Sequence, residues 1–168
     1  MEPLPKSAAR YKSSQIMLHY SDEKMKSILK KTVDKIPHFT GFCNLGGALA
    51  LEDARVMDII NQEFAKLNSF FVISPESRKS VAAVSAKKHN VPHRTIDYSM
   101  NTAQSHSVLL DSLRHCALLA QKKGSILIRG KSSPSFITAL KNCLPIYHQN
   151  GIRFVYVSEL IKDSDKKQ

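Results

Sequence analysis

Seven histidines, three cysteines and a Gly130-Lys131-Ser132 string are the features of this 168-residue sequence that could do chemistry. Metal-assisted hydrolysis from a helix needs imidazoles on one face, as in H-E-x-x-H. No such motif occurs: His19 is near the start, His38 precedes a strand, His89 and His93 flank a helix-to-strand turn, and His106, His115 and His148 sit on separate helical stretches. A lone histidine on such an element is an ordinary surface or satisfied residue. Cys43, Cys116 and Cys143 are odd in number and contain no C-x-x-C, which excludes a disulfide framework and a zinc ribbon and leaves them as buried small hydrophobes. Gly130-Lys131-Ser132 invites a phosphate-loop reading, but the preceding Gly124 is one residue too far away and Ser125–Arg129 is strand-like where a flexible cradle is needed. There is no G-x-S-x-G elbow and no evident pair of carboxylates in adjacent strand-end loops.

The elements that must position any site follow from periodicity. Met25, Ile28, Leu29, Val33 and Ile36 give a helix over 22–36, with Ser21 as N-cap and Pro37 closing it. Lys24, Lys31 and Lys35 lie opposite that apolar stripe, where a solvated face is the plain account. Residues 39–44 read as a strand broken by Gly46-Gly47, 53–67 as a helix, 69–74 as an apolar strand, and 80–90 as a helix. A strand over 93–97, a helix over 104–123 ended by Gly124, a strand over 125–129, a helix opened by Ser133-Pro134, and a last strand over 152–157 complete the order. Five strands alternating with four helices imply an α/β fold with a parallel sheet. In such folds a site belongs at the carboxyl ends of the strands, here the loops 45–52, 75–79, 98–103, 130–133 and 158–159, none of which contains a histidine. Lys131, Arg78 and Lys79 in these loops could meet an anion, though solvated loop charge is the plainer account.

The composition bounds the rest. A 168-residue chain with 42% apolar residues suits one domain, placed at 21–161 between a partly irregular lead-in, 1–20, and a flexible tail, 162–168. The 25 Lys and Arg against 14 Asp and Glu leave +11, which would attract an anionic glycan, another polyanion or an acidic partner. The lysines are scattered and tryptophan is absent, which disfavours a nucleic-acid reader. No apolar leader or membrane-length stretch is evident, so no signal peptide or transmembrane segment is expected, and the chain as written is expected in the cytoplasm.

Five blocks in order resemble the divergent polysaccharide deacetylase family of the deacetylase and glycoside-hydrolase barrel superfamily. Gly41-Phe42-Cys43-Asn44-Leu45-Gly46-Gly47-Ala48 is similar to that family's G-x-N-N-H-M-G-S turn, and Phe70-Phe71-Val72-Ile73-Ser74 to its F-F-x-D-S strand. Val91-Pro92-His93-Arg94 resembles its V-P-x-x-R approach to an F-L-D-N strand end, Gly124-Ser125 to Gly130-Lys131 its G-x-A-I-x-I-G-H-P strand, and Ile152 to Leu160 its closing V-P-V-S-x-L. Met1-Glu2-Pro3 is similar to the family's internal L-H-L-P-M-E-P. The resemblance therefore implies an incomplete (β/α) barrel of deacetylase type, with the first strands and an I-D-D acidic pair outside this sequence. Open barrel edges would then need covering by a separately encoded N-terminal half or by a homo-oligomer. Full-length relatives can be exported.

The resemblance also implies hydrolysis of acetamides by a metal-bound water, which needs carboxylate and imidazole donors. Leu45 stands where the family has the turn histidine, Ile73 and Ser99 where it has aspartates, and Lys131 where it has the second histidine. Leucine and isoleucine cannot coordinate a divalent ion, and Lys131 would set a like charge beside it. No catalytic residue, metal or cofactor is therefore expected. Asn44, Ser74, Arg94, Ser99, Lys131 and Ser158 remain as a vestigial pocket, for which loop shaping is the plain alternative account. Three expectations follow: a truncated, inactive deacetylase-like protein; a metal-dependent carbohydrate deacetylase completed by another chain; or a non-catalytic basic module holding an anionic glycan or nucleic acid.

Overall fold

The computed structural model describes residues 15–165, with side chains described through Ile161. Residues 1–14 and 166–168, which include the Met1-Glu2-Pro3 resemblance, lie outside the described residues. The chain divides into two compact units, with the boundary between His93 and Arg94.

The first unit opens with α1 (Asp22–Val33), which starts because Ser21 Oγ accepts the Lys24 N–H at 3.3 Å and whose apolar side buries Met25 and Ile28. Strand β1 (Gly41–Cys43) leads through Gly46 and Gly47, both at positive φ, into α2 (Ala48–Glu52). Helix α3 (Ala54–Lys66) follows at once, with Asp53 Oδ1 accepting the Val56 N–H at 3.0 Å. Strand β2 (Phe70–Ile73) then pairs in parallel with β1, Phe42 opposite Phe71. Helix α4 (Ala82–Lys88) leads into β3 (His93–Thr95), which completes a sheet of order β1-β2-β3 at the unit boundary. The core joins α1, α3 and α4 to the sheet through Met25, Val56, Met57, Ala82, Ala86 and Phe71. Phe64 stacks on Phe42 at 4.1 Å between ring centroids and meets Phe71 edge-on at 5.3 Å, in the geometries aromatic quadrupoles favour.

The second unit pairs β4 (Tyr98–Met100) in parallel with β5 (Ile128–Gly130) and joins them through α5 (His106–Lys123). Gly124, at φ 81°, ends α5 in the left-handed conformation that a residue with a Cβ resists. Helix α6 (Pro134–Gln149) starts on Ser133, whose Oγ accepts the Phe136 N–H at 3.2 Å, and packs on α5 through Leu109, Leu113, Cys116, Ala139 and Cys143. Helix α7 (Val157–Asp165) closes the described chain.

The architecture is α/β, with parallel strands alternating with helices and no closed barrel among the described residues. It corrects several local expectations. The strands form two sheets rather than one. The stretch 98–103, read as loop, contains β4, because Tyr98, Ser99 and Met100 find partners on β5 that no local pattern announces. The five-residue α2 also went unread, being too short to show a periodicity. The last expected strand is absent: residues 152–156 are irregular, and Val157 already belongs to α7. Four of those five, all but Arg153, are β-branched or aromatic, but propensity makes a strand only where a neighbour supplies hydrogen bonds. Phe154 is 51% and Tyr156 80% exposed. Cys43 is exposed, unlike the buried Cys116 and Cys143. No described helix is long and apolar enough to cross a membrane.

Candidate functional site

The carboxyl ends of β1 and β2 meet in the first unit, and Asn44 joins them. Its Oδ1 accepts the Ser74 N–H at 2.7 Å, while its Nδ2 donates to the Ser74 carbonyl and to the Gly46 carbonyl, each at 3.1 Å. The side-chain amide thus copies one more rung of the parallel ladder after the strands have ended. Ser74 is fully buried, and its Oγ donates to Glu76 Oε1 at 2.6 Å. Ser77 Oγ donates to Glu52 Oε1. Glu76 and Glu52 thus each hold a serine, at Ser74 and at Ser77; the turn at Gly46-Gly47 starts α2 early enough for its last residue, Glu52, to reach the 75–79 loop. The signal was available, since both glutamates fall inside loops that periodicity marks as strand ends.

In the second unit Asp97 is the hub, and sequence reasoning passed over it. Its Oδ2 accepts the Leu127 N–H at 2.9 Å and Arg94 Nη2 at 3.3 Å, and its Oδ1 accepts Lys123 Nζ at 3.0 Å. Burial pushes the Asp97 carboxyl up, but the Leu127 amide, Lys123 and Arg94 together outweigh it and hold the group below its ordinary value. Arg94 also donates to the Ser125 carbonyl at 3.2 Å and to its hydroxyl at 3.3 Å, fastening the start of the segment that leads to β5. Ser99 lies mid-strand in β4 and is exposed; the residue that follows the strand is Asn101, whose Oδ1 accepts the Ala103 N–H at 3.2 Å. Lys131 follows β5 and is exposed. Ser158, expected after a strand, stands half-buried in the first turn of α7. Of the six sequence-predicted residues, Asn44 and Ser74 are thus in direct contact, Arg94 serves the Asp97 hub, and Ser99, Lys131 and Ser158 occupy three separate elements.

A second polar network lies at the other end of β2, between α3 and α4. Asp58 Oδ1 accepts Ser85 Oγ at 2.8 Å and contacts His89 Nε2 at 3.1 Å, while Asp58 Oδ2 accepts Lys88 Nζ at 2.5 Å. Lys88 first, then Ser85, lowers the Asp58 carboxyl to about 2. Asn61, fully buried, donates to Ser85 Oγ at 3.1 Å. His89 also lines a groove of about 380 Å³ with Ala65, Asn68, Ser69, Asn90 and Pro92. His93, four residues on, is held separately by the Val91 carbonyl at 2.9 Å through Nδ1. No cluster of three His, Cys, Asp or Glu able to hold a metal ion exists among the described residues.

These features define a parallel α/β protein whose strand ends are closed by amide, hydroxyl and carboxylate bonds. The family model of the divergent polysaccharide deacetylases matches residues 1–161, and the chain belongs to that family. No curated protein matches it. Among solved structures it is similar to an uncharacterized protein, ATU2773, from Agrobacterium tumefaciens C58, with a TM-score of 0.84 and 19% sequence identity over 95% of this chain. The chain spans 65% of the length of that relative. The divalent ion that the resemblance implies does not fit the side chains at the corresponding positions. Leu45 offers no donor and is 82% exposed, Ile73 offers none and is 2% exposed within the core, and Lys131 brings a positive charge.

Proposed function

We propose that this chain is a non-hydrolytic member of its family, a carbohydrate-binding domain of deacetylase ancestry. The observation that carries this reading is Leu45, an apolar side chain 82% exposed at the position where the resemblance implies an imidazole donor, next to an Asn44 amide already spent on the backbone of Ser74 and Gly46. Ile73 supports it as well, since an apolar side chain that fills the core has replaced a position for which the resemblance implies an anionic donor. The test is elemental analysis of the purified chain together with acetate release from an N-acetylated chito-oligosaccharide in added zinc, nickel or cobalt. Neither stoichiometric metal nor acetate above background is expected; one tightly held ion per chain, or turnover, overturns the reading.

A second reading, that another polypeptide completes a working deacetylase, is favoured by one pair of observations. The chain spans 65% of its structural relative, and the apolar stretch 154–156 is exposed. The nucleotide sequence upstream of Met1, translated in all frames, would reveal an I-D-D segment if that is so. Mixing its product with this chain would then release acetate.

A further inference from the structure

Helices α3, α4 and α6 end in the same turn, and two of the three close it with the less suitable residue. After α6, Gly151 at φ 76° donates its N–H to the His148 carbonyl, and the Ile152 N–H reaches back to the Tyr147 carbonyl. The same pair of bonds follows α3, from Asn68 to Ala65 and from Ser69 to Phe64, and α4, from Asn90 to Lys87 and from Val91 to Ala86. Asn68 at φ 48° and Asn90 at φ 55° thus hold the left-handed conformation that glycine takes without strain. Asparagine is accepted there when its side chain bonds the local backbone. Neither of these side-chain amides has a hydrogen bond among the described residues, and both line the groove of about 380 Å³. His89 lines it too. The Asp58 carboxylate at 3.1 Å from Nε2 places the proton of the neutral ring on that nitrogen and leaves Nδ1 as an acceptor. One helical turn from Ala65 and His89, the buried Asn61 donates to Ser85 Oγ while its Oδ1 has no partner among the described residues, so polar character continues behind the wall.

We propose, resting on the carbohydrate-binding reading above, that this groove at the amino ends of β2 and β3 holds a neutral sugar unit of a glycan through Asn68, Asn90 and His89. A sugar hydroxyl is both donor and acceptor, and a side-chain amide answers it with both, while Ala65 and Pro92 offer apolar surface to the C–H face of the ring. The volume falls at the lower end of small-ligand pockets, which run from about 300 to 1,000 Å³. No Lys, Arg, Asp or Glu lines the groove, and the nearby Asp58 and Lys88 are paired with each other at 2.5 Å. An anion would therefore find no cation in the lining. An apolar ligand would displace water from two amides without replacing its hydrogen bonds. The site lies at the strand ends opposite Asn44 and Ser74, away from the positions where the resemblance implies a metal.

The experiment uses the whole chain and three labelled probes: an N-acetylated chito-oligosaccharide and a cello-oligosaccharide, both neutral, and an anionic hyaluronan oligosaccharide. Anisotropy titrations compare the unmodified chain with Asn68→Gly/Asn90→Gly, which removes both amides and suits the left-handed backbone, and with Asn142→Ala, at an exposed asparagine of α6. Thermal melts should place the glycine variant at or above the unmodified chain. Its affinity for a neutral probe should fall about tenfold or more, against less than about twofold for Asn142→Ala, and neutral binding should be nearly independent of salt. Equal affinity in the glycine variant overturns the groove assignment and leaves carbohydrate binding standing. A glycine variant that melts markedly lower shows the amides to be structural and overturns the assignment as well. Tighter hyaluronan binding with a steep salt dependence overturns the neutral ligand class. Failure of the unmodified chain to bind either neutral probe defeats the carbohydrate-binding reading and the groove with it, whereas the acetate and metal measurements judge the non-hydrolytic reading separately.

Discussion

Replacing Asn44 tests whether its amide is a structural latch or a ligand group. Asn44→Ala removes three hydrogen bonds, to the Ser74 N–H at 2.7 Å and to the Ser74 and Gly46 carbonyls at 3.1 Å. At about 1 kcal/mol each, with the Ser74 N–H buried and losing its acceptor, the loss is about 3 kcal/mol. Asn44→Asp keeps the acceptor for the Ser74 N–H but sets a carboxylate oxygen against two carbonyls, so at pH 7 it should be no more stable than the alanine variant. Protonation restores one donor. The carboxyl of that variant would be raised in the folded state, so its deficit should shrink as pH falls through the raised value, while the Asn44→Ala deficit stays flat. Urea unfolding followed by circular dichroism at pH 7 and pH 5 measures both, and amide exchange at Ser74 gives a local readout that should accelerate about a hundredfold in Asn44→Ala. An Asn44→Ala variant within about 0.5 kcal/mol of the unmodified chain would refute the latch.

Two other perturbations follow from the same geometry. Asp58 is lowered to about 2 and Asp97 is also lowered, so both contribute stability that is present above the ordinary carboxylate range and lost as pH falls below about 4. Asp58→Asn should reduce stability at pH 7 and flatten that acid limb in a pH series of melts; an unchanged limb would show that the Lys88 and Ser85 contacts do not hold in solution. Gly130→Ala places a Cβ 2.8 Å from the Phe136 ring and 3.2 Å from Thr102 Cγ2, against the second core, and should cost about 1–3 kcal/mol in urea unfolding. Full tolerance there would mean that Phe136 is free to move aside.

Local signals carried much of the secondary structure. Helix α1 was legible because Met25, Ile28 and Leu29 repeat at helical spacing behind a serine cap, and α6 because Ser133-Pro134 is a start signal whatever surrounds it. Strand β2 was legible because a strand buried in a sheet reads as an unbroken apolar run. The family resemblance, too, was readable from blocks kept in order along the chain, which the match over residues 1–161 bears out.

What tertiary structure decided were the pairings. A backbone segment becomes a strand only against a partner, which is why Tyr98–Met100 joined β5 and residues 152–156, with stronger propensity, joined no strand among the described residues. The polar hubs were likewise invisible in one dimension: Asp97 meets Leu127 thirty residues away, and Asn44 meets Ser74 across the same interval. Sequence alone determined which side chains are present and thus which donor atoms are missing; the fold determined that Asn44 and Arg94 bond to backbone, because a buried N–H or carbonyl at a strand end must find a partner.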